Sequence, residues 1–131
     1  MVVKEVGKNM RFLVLEENQR ILRIYQKFFD AKGYQVIFTD NGYSCFERFS
    51  GQDSFDYIIL DKSRKLGSMF LEDKIREINP LQKILFLSPF MNLENSEISK
   101  ETQELVEKPF AMVTVLGKIQ LENVQPLIKV K

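Results

Sequence analysis

The chain has 131 residues, a mass of 15.4 kDa and 44% hydrophobic residues, the composition of one soluble domain with a hydrophobic core. Nineteen basic and 18 acidic residues leave a net charge of +1, which excludes a strong basic face for nucleic acid. One cysteine, Cys45, excludes an internal disulfide, and the lack of histidine excludes histidine metal sites, Ser-His catalysis and a histidine phosphocarrier.

No apolar run nears the roughly 20 residues a bilayer span requires. The opening MVVKEVGKNM lacks a signal-peptide core, so the chain reads as cytoplasmic, without membrane contact. Residues 1–9 read as an N-terminal extension, 10–122 as one domain and 123–131 as a short tail.

In chain order, RFLVL (11–15) is the first predicted strand. The following NQRILRIYQKFFDAKG has helical spacing, with Ile21, Leu22, Tyr25, Phe28 and Phe29 on one face and Gly33 as the cap. QVIFT (35–39) is the second strand; NGYSCFERFSG then places Tyr43, Phe46 and Phe49 together on a helix, with Cys45 as a small core residue. YIIL (57–60) is the third strand, and SMFLEDKIREINP gives Leu71, Ile75 and Ile78 one helical face, stopped at Pro80. ILFL (84–87) is the fourth strand. NLENSEISKET (92–102) reads as a weak helix, ELVE (104–107) as a fifth strand, and a last helix is predicted from Pro109 or Phe110 through Val113, Leu116 and Ile119.

Strands without polar alternation are buried on both faces, as in a parallel sheet covered by helices; the alternation therefore predicts a doubly wound α/β domain. Ligands of such sheets bind beyond the carboxyl ends of the strands. There the sequence has Glu16 and Glu17 after the first strand, Asp61 after the third, Ser88 after the fourth, and Lys108 followed by Pro109. Carboxylates about 5 Å apart repel by about 3 kcal/mol at an effective dielectric near 20, so a gathering of these acids requires a proton or a cation, Mg²⁺ being the natural one.

The pieces LEEN, YIILDKS, FLSP and EKPF resemble, in order and spacing, the receiver domain of two-component response regulators, over about residues 10–121. Twenty-seven positions separate Asp61 from Ser88, and 20 separate Ser88 from Lys108. The resemblance implies a flavodoxin-like (βα)5 three-layer sandwich with a five-stranded parallel sheet in the order 2-1-3-4-5. It implies Asp61 as phosphoacceptor, Mg²⁺ held by Glu16, Glu17, Asp61 and the backbone carbonyl of Ser63, Ser88 bonding a phosphoryl oxygen, and Lys108 pairing with the phosphorylated side chain. A cis bond before Pro109 is also implied.

The function implied is phosphorelay signalling, not enzymatic turnover. Asp61 would take a phosphoryl group from a sensor histidine kinase or phosphotransfer protein, and the phosphoprotein would signal to a downstream protein, without direct nucleic-acid binding. Homodimerisation is common in the family.

Four features depart from its pattern: two glutamates where aspartates are usual, a proline-free KSRKLGS loop, Pro89 after Ser88, and Leu105 where a switching aromatic often stands. The glutamate pair, Pro89 and Leu105 favour the alternative, a phosphorylation-independent pseudo-receiver acting as an interaction or dimerisation module. A small phosphohydrolase using Asp61 is disfavoured because Ser63 stands where that chemistry places a second acid. Nucleotide binding is disfavoured by the lack of a glycine-rich loop after the first strand.

Overall fold

A computed structural model describes residues 10–51, 53–61, 65–87 and 99–123, with the side chains of 65–69, 100 and 101 excepted. The predicted Ser63 and Ser88 sites, Pro89, residues 92–98 of the 92–102 segment and residues 124–131 of the tail lie outside these residues.

Four strands form a parallel sheet: β1 (Arg11–Leu15), β2 (Gln35–Thr39), β3 (Tyr57–Asp61) and β4 (Ile84–Leu87). Their order, β2-β1-β3-β4, is the expected 2-1-3-4 arrangement of a doubly wound sheet. Four helices connect or follow them: α1 (Gln19–Lys32), α2 (Gly42–Ser50), α3 (Lys65–Ile78) and α4 (Lys100–Glu122).

Alternation along the strands sorts side chains into two cores. Phe12, Val14, Tyr57 and Ile59 pack with Ile21, Tyr25 and Phe29 of α1 and with Ala111, Met112, Leu116 and Ile119 of α4. Leu13, Ile58 and Leu60 face the other way, against Cys45 and Phe49 of α2 and Leu71 and Ile75 of α3. The sheet is thus the middle of three layers, as expected.

Local signals fix where α1 begins and ends. The Asn18 side chain accepts hydrogen bonds from the backbone N–H groups of Arg20 and Ile21, at 2.9 and 3.3 Å. At the other end Gly33 adopts φ 71°; its N–H donates to Asp30 O and that of Tyr34 to Phe29 O, a Schellman closure. At the opposite end of the sheet from the candidate site, buried Gln82 donates to Phe55 O at 3.0 Å and holds the entry to β3.

Several expectations are corrected. ELVE (104–107) is not a strand: it lies inside α4, which starts at Lys100 and not at Pro109 or Phe110. Ser99 caps it by accepting from Thr102 N–H at 3.2 Å, and Gln103–Glu107 and Glu104–Lys108 are i,i+4 contacts within it. The sheet therefore has four strands among the described residues, not five. Pro109 lies within the helix, and no described peptide bond is cis, so the expected cis bond before it is not found. Tyr43 and Ile78, grouped by helical spacing with Phe49 and with Leu71 and Ile75, are exposed, as is Val113; Cys45 and Phe49 form the buried face of α2.

Candidate functional site

Strand register brings two predicted acids level. Val14 pairs with Ile59 across β1 and β3, so Glu16 and Asp61, each two residues on, reach the same height on the same face of the sheet. That face carries the α1/α4 core, and α4 delivers Lys108 to it from the other side of the sequence. The ammonium stands 2.6 Å from Asp61 Oδ2 and 3.1 and 3.3 Å from the two Glu16 oxygens. Glu104, one turn earlier on α4, is 3.9 Å away.

All three central groups are buried, with Glu16 2%, Asp61 7% and Lys108 6% exposed, so each is deprived of most of its water. Burial raises the Glu16 carboxyl above its ordinary value of 4.5, the Asn18 N–H and Lys108 opposing the rise and Asp61 adding to it. Burial alone would lower Lys108, but the hydrogen bond to Asp61 and the charges of Glu16 and Asp61 outweigh it and raise the lysine. Glu16 Oε2 also accepts the backbone N–H of Asn18 at 2.9 Å, so one residue links the site to the start of α1.

Of the predicted residues, Glu16, Asp61 and Lys108 come together, whereas Glu17 is solvent-exposed. The cation expected among gathered carboxylates is here supplied by Lys108. Among the described residues no group of three or more acids is gathered as a metal centre. Two participants escape the sequence reading. Glu104 has a signal, the four-residue spacing to Lys108 on one helix; Tyr25, read as an apolar-stripe residue, brings a buried hydroxyl whose ionisation is opposed by burial and by the charges of Glu16, Asp61 and Glu104.

No helix among the described residues is long and apolar enough to cross a membrane.

No family model matches the chain. A curated response regulator receiver protein, CpdR of Brucella abortus, is 26% identical over 113 residues, covering 84% of this chain and 93% of that protein. The uncharacterized transcriptional regulatory protein YclJ of Bacillus subtilis is 24% identical over 115 residues, 85% of this chain. The chain spans about half, 49%, of the length of YclJ. Among solved structures, the response regulator TrrA in complex with the histidine kinase ThkA matches with a TM-score of 0.62 and 20% identity, covering 86% of this chain and 97% of that one. In fold and in sequence the chain thus resembles response regulator receiver domains, as its motifs implied.

Proposed function

We propose that the chain is a response-regulator receiver that accepts a phosphoryl group on Asp61 and signals by binding another protein. The observation that carries this reading is the buried Lys108 ammonium, 2.6 Å from a carboxylate held rigidly at the end of β3. Asp61 would attack phosphorus through a carboxylate oxygen. The new O–P bond would form as the donor's P–N bond (phosphohistidine) or P–O bond (acetyl phosphate) breaks, the bonding pair leaving with imidazole or acetate. Catalysis of such transfers is mostly positioning and charge compensation, which Lys108 is placed to provide.

Glu16, Glu17, Asp61 and the Ser63 carbonyl are the Mg²⁺ ligands implied by resemblance; Glu16 and Asp61 are both engaged by Lys108 and Glu17 is exposed, so the ion would share these carboxylates with the lysine. One or two carboxylates plus a substrate phosphate suffice for Mg²⁺, which would supply further positive charge to the phosphoryl oxygens. Ser88 is retained as the phosphoryl-bonding hydroxyl on resemblance alone. The kinase partner is inferred by analogy with TrrA, a response regulator seen in complex with a histidine kinase. A surface for a downstream target or a second copy is offered by Val106, Phe110, Val113 and Leu121, an exposed apolar stripe along α4.

The alternative, an unphosphorylated interaction module, is favoured by one feature: Asp61 is only 7% exposed and already engaged by Lys108. Intact mass after incubation with Mg²⁺ and acetyl phosphate separates the two. Gain of one phosphoryl group, lost in Asp61→Asn, is expected; no gain at saturating donor and Mg²⁺ would leave the interaction module.

A further inference from the structure

Tyr25 is 0% exposed, and its hydroxyl finds no hydrogen-bond partner among the described residues. A buried hydroxyl without a partner is unusual and destabilising in the state that leaves it so. Tyr25 shares its core cluster with Val14 and Ile59, one strand repeat below Glu16 and Asp61, and with Met112, one helical turn beyond Lys108. Tyr25 therefore belongs to the same core that Glu16 and Asp61 border at the ends of their strands. The negative charges that oppose its ionisation, after burial itself, are Glu16 first, then Asp61 and Glu104.

Glu16 has the complementary problem. Its charge is compensated by Lys108, at 3.1 Å, which also serves Asp61 at 2.6 Å. A phosphoryl group on Asp61 would bring about −2 charge and three strong acceptor oxygens, and so compete for that ammonium. Glu16, only 2% exposed, would then lose its cation without gaining water.

We infer that Tyr25 is a positioning residue whose hydroxyl is held in reserve for Glu16: it donates to that carboxylate when Lys108 turns to a phosphoryl group on Asp61. This would couple phosphorylation to α1, which carries Tyr25 and whose N-cap residue, Asn18, donates its N–H to Glu16. The inference rests on Asp61 being the phosphoacceptor.

The test compares wild type with Tyr25→Phe, each incubated with Mg²⁺ and limiting acetyl phosphate. Intact mass reads the phosphorylated fraction, and tyrosine emission reads the environment directly because the chain has four tyrosines and no tryptophan. The unphosphorylated variant should melt at or above wild type, while its phosphorylated fraction falls about tenfold, the scale of one hydrogen bond to a charged group. The emission change that accompanies phosphorylation of wild type should disappear. In a Glu16→Gln background the same tyrosine substitution should change loading little, since a neutral amide needs no such donor.

Equal loading of wild type and Tyr25→Phe, with the same emission change, would overturn the role of Tyr25 and leave Asp61 as acceptor. A lower melting temperature of the unphosphorylated variant would mean that the hydroxyl is already bonded at rest, and would also overturn it. No mass gain in wild type would overturn both readings.

Discussion

Replacing Lys108 with methionine keeps most of the buried aliphatic stem and removes the one ammonium that Glu16 and Asp61 share. Both acids remain nearly inaccessible to water, at 2% and 7% exposure, so both lose the ammonium that compensates their charge. Breaking a buried ion pair by deleting one member costs about 3–5 kcal/mol, a large share of the 5–15 kcal/mol typical of a domain. With a urea m-value of about 1.5–2 kcal/mol/M, the unfolding midpoint at pH 7.5 should fall by about 2 M. The loss should shrink as the pH falls toward the Glu16 range, which burial already holds above 4.5, because proton uptake by Glu16 removes one of the two acid charges deprived of the ammonium. It should shrink likewise when Glu16→Gln and Asp61→Asn are combined with Lys108→Met, because the triple variant removes both acid charges that Lys108 compensates. Equilibrium unfolding in urea across this pH range measures all of this. A loss below about 1 kcal/mol at pH 7.5, or an undiminished loss in the triple variant, would refute the view of Lys108 as a buried counter-ion.

Three further outcomes are expected. The Glu16 carboxyl is raised above 4.5 in the folded chain, so the stability tied to its protonated form is complete below 4.5 and is lost as pH rises through the higher folded value. Glu16→Gln should therefore flatten the pH dependence of stability in the region just above pH 4.5, as followed by urea unfolding across pH. Gly33→Ala meets no steric obstacle but must adopt φ 71°, and should cost about 1 kcal/mol in the same assay. Phe110, 63% exposed on α4, can be exchanged for glutamate with a stability change within about 0.5 kcal/mol, while any homodimer seen by sedimentation should weaken if it uses the α4 stripe.

The four strands were legible because each is a short apolar run with no helical alternative of useful length, and β1, β2 and β4 begin and end where the pattern predicts. The meeting of Glu16 and Asp61 was legible too, since strand ends of a parallel sheet converge and the period of two fixes their common face. ELVE was misread because four residues bounded by glutamates do not distinguish strand from helix. The deciding contacts belong to a longer stretch: the Ser99 cap, the Gln103–Glu107 pair and the Glu104–Lys108 pair. Pro109 also argues against a helix interior on local grounds, and the burial of Ala111, Met112, Leu116 and Ile119 beyond it is a tertiary gain that the tripeptide EKPF does not reveal. Tyr25 was read as a core residue, which it is; helical spacing locates its ring but does not show that its hydroxyl is buried without a partner among the described residues and feels the charges of Glu16 and Asp61.

The claim on which the functional reading depends is that the Asp61 carboxylate, held against Lys108, receives a phosphoryl group. The most direct measurement is to incubate the protein with Mg²⁺ and acetyl phosphate, reduce the acyl phosphate with borohydride, which converts a phosphorylated aspartate to homoserine, and sequence the peptide containing Asp61 by mass spectrometry. Homoserine at position 61, and at no other acid, is the predicted result. An unmodified Asp61 at saturating donor, or homoserine at another acid, would contradict the account.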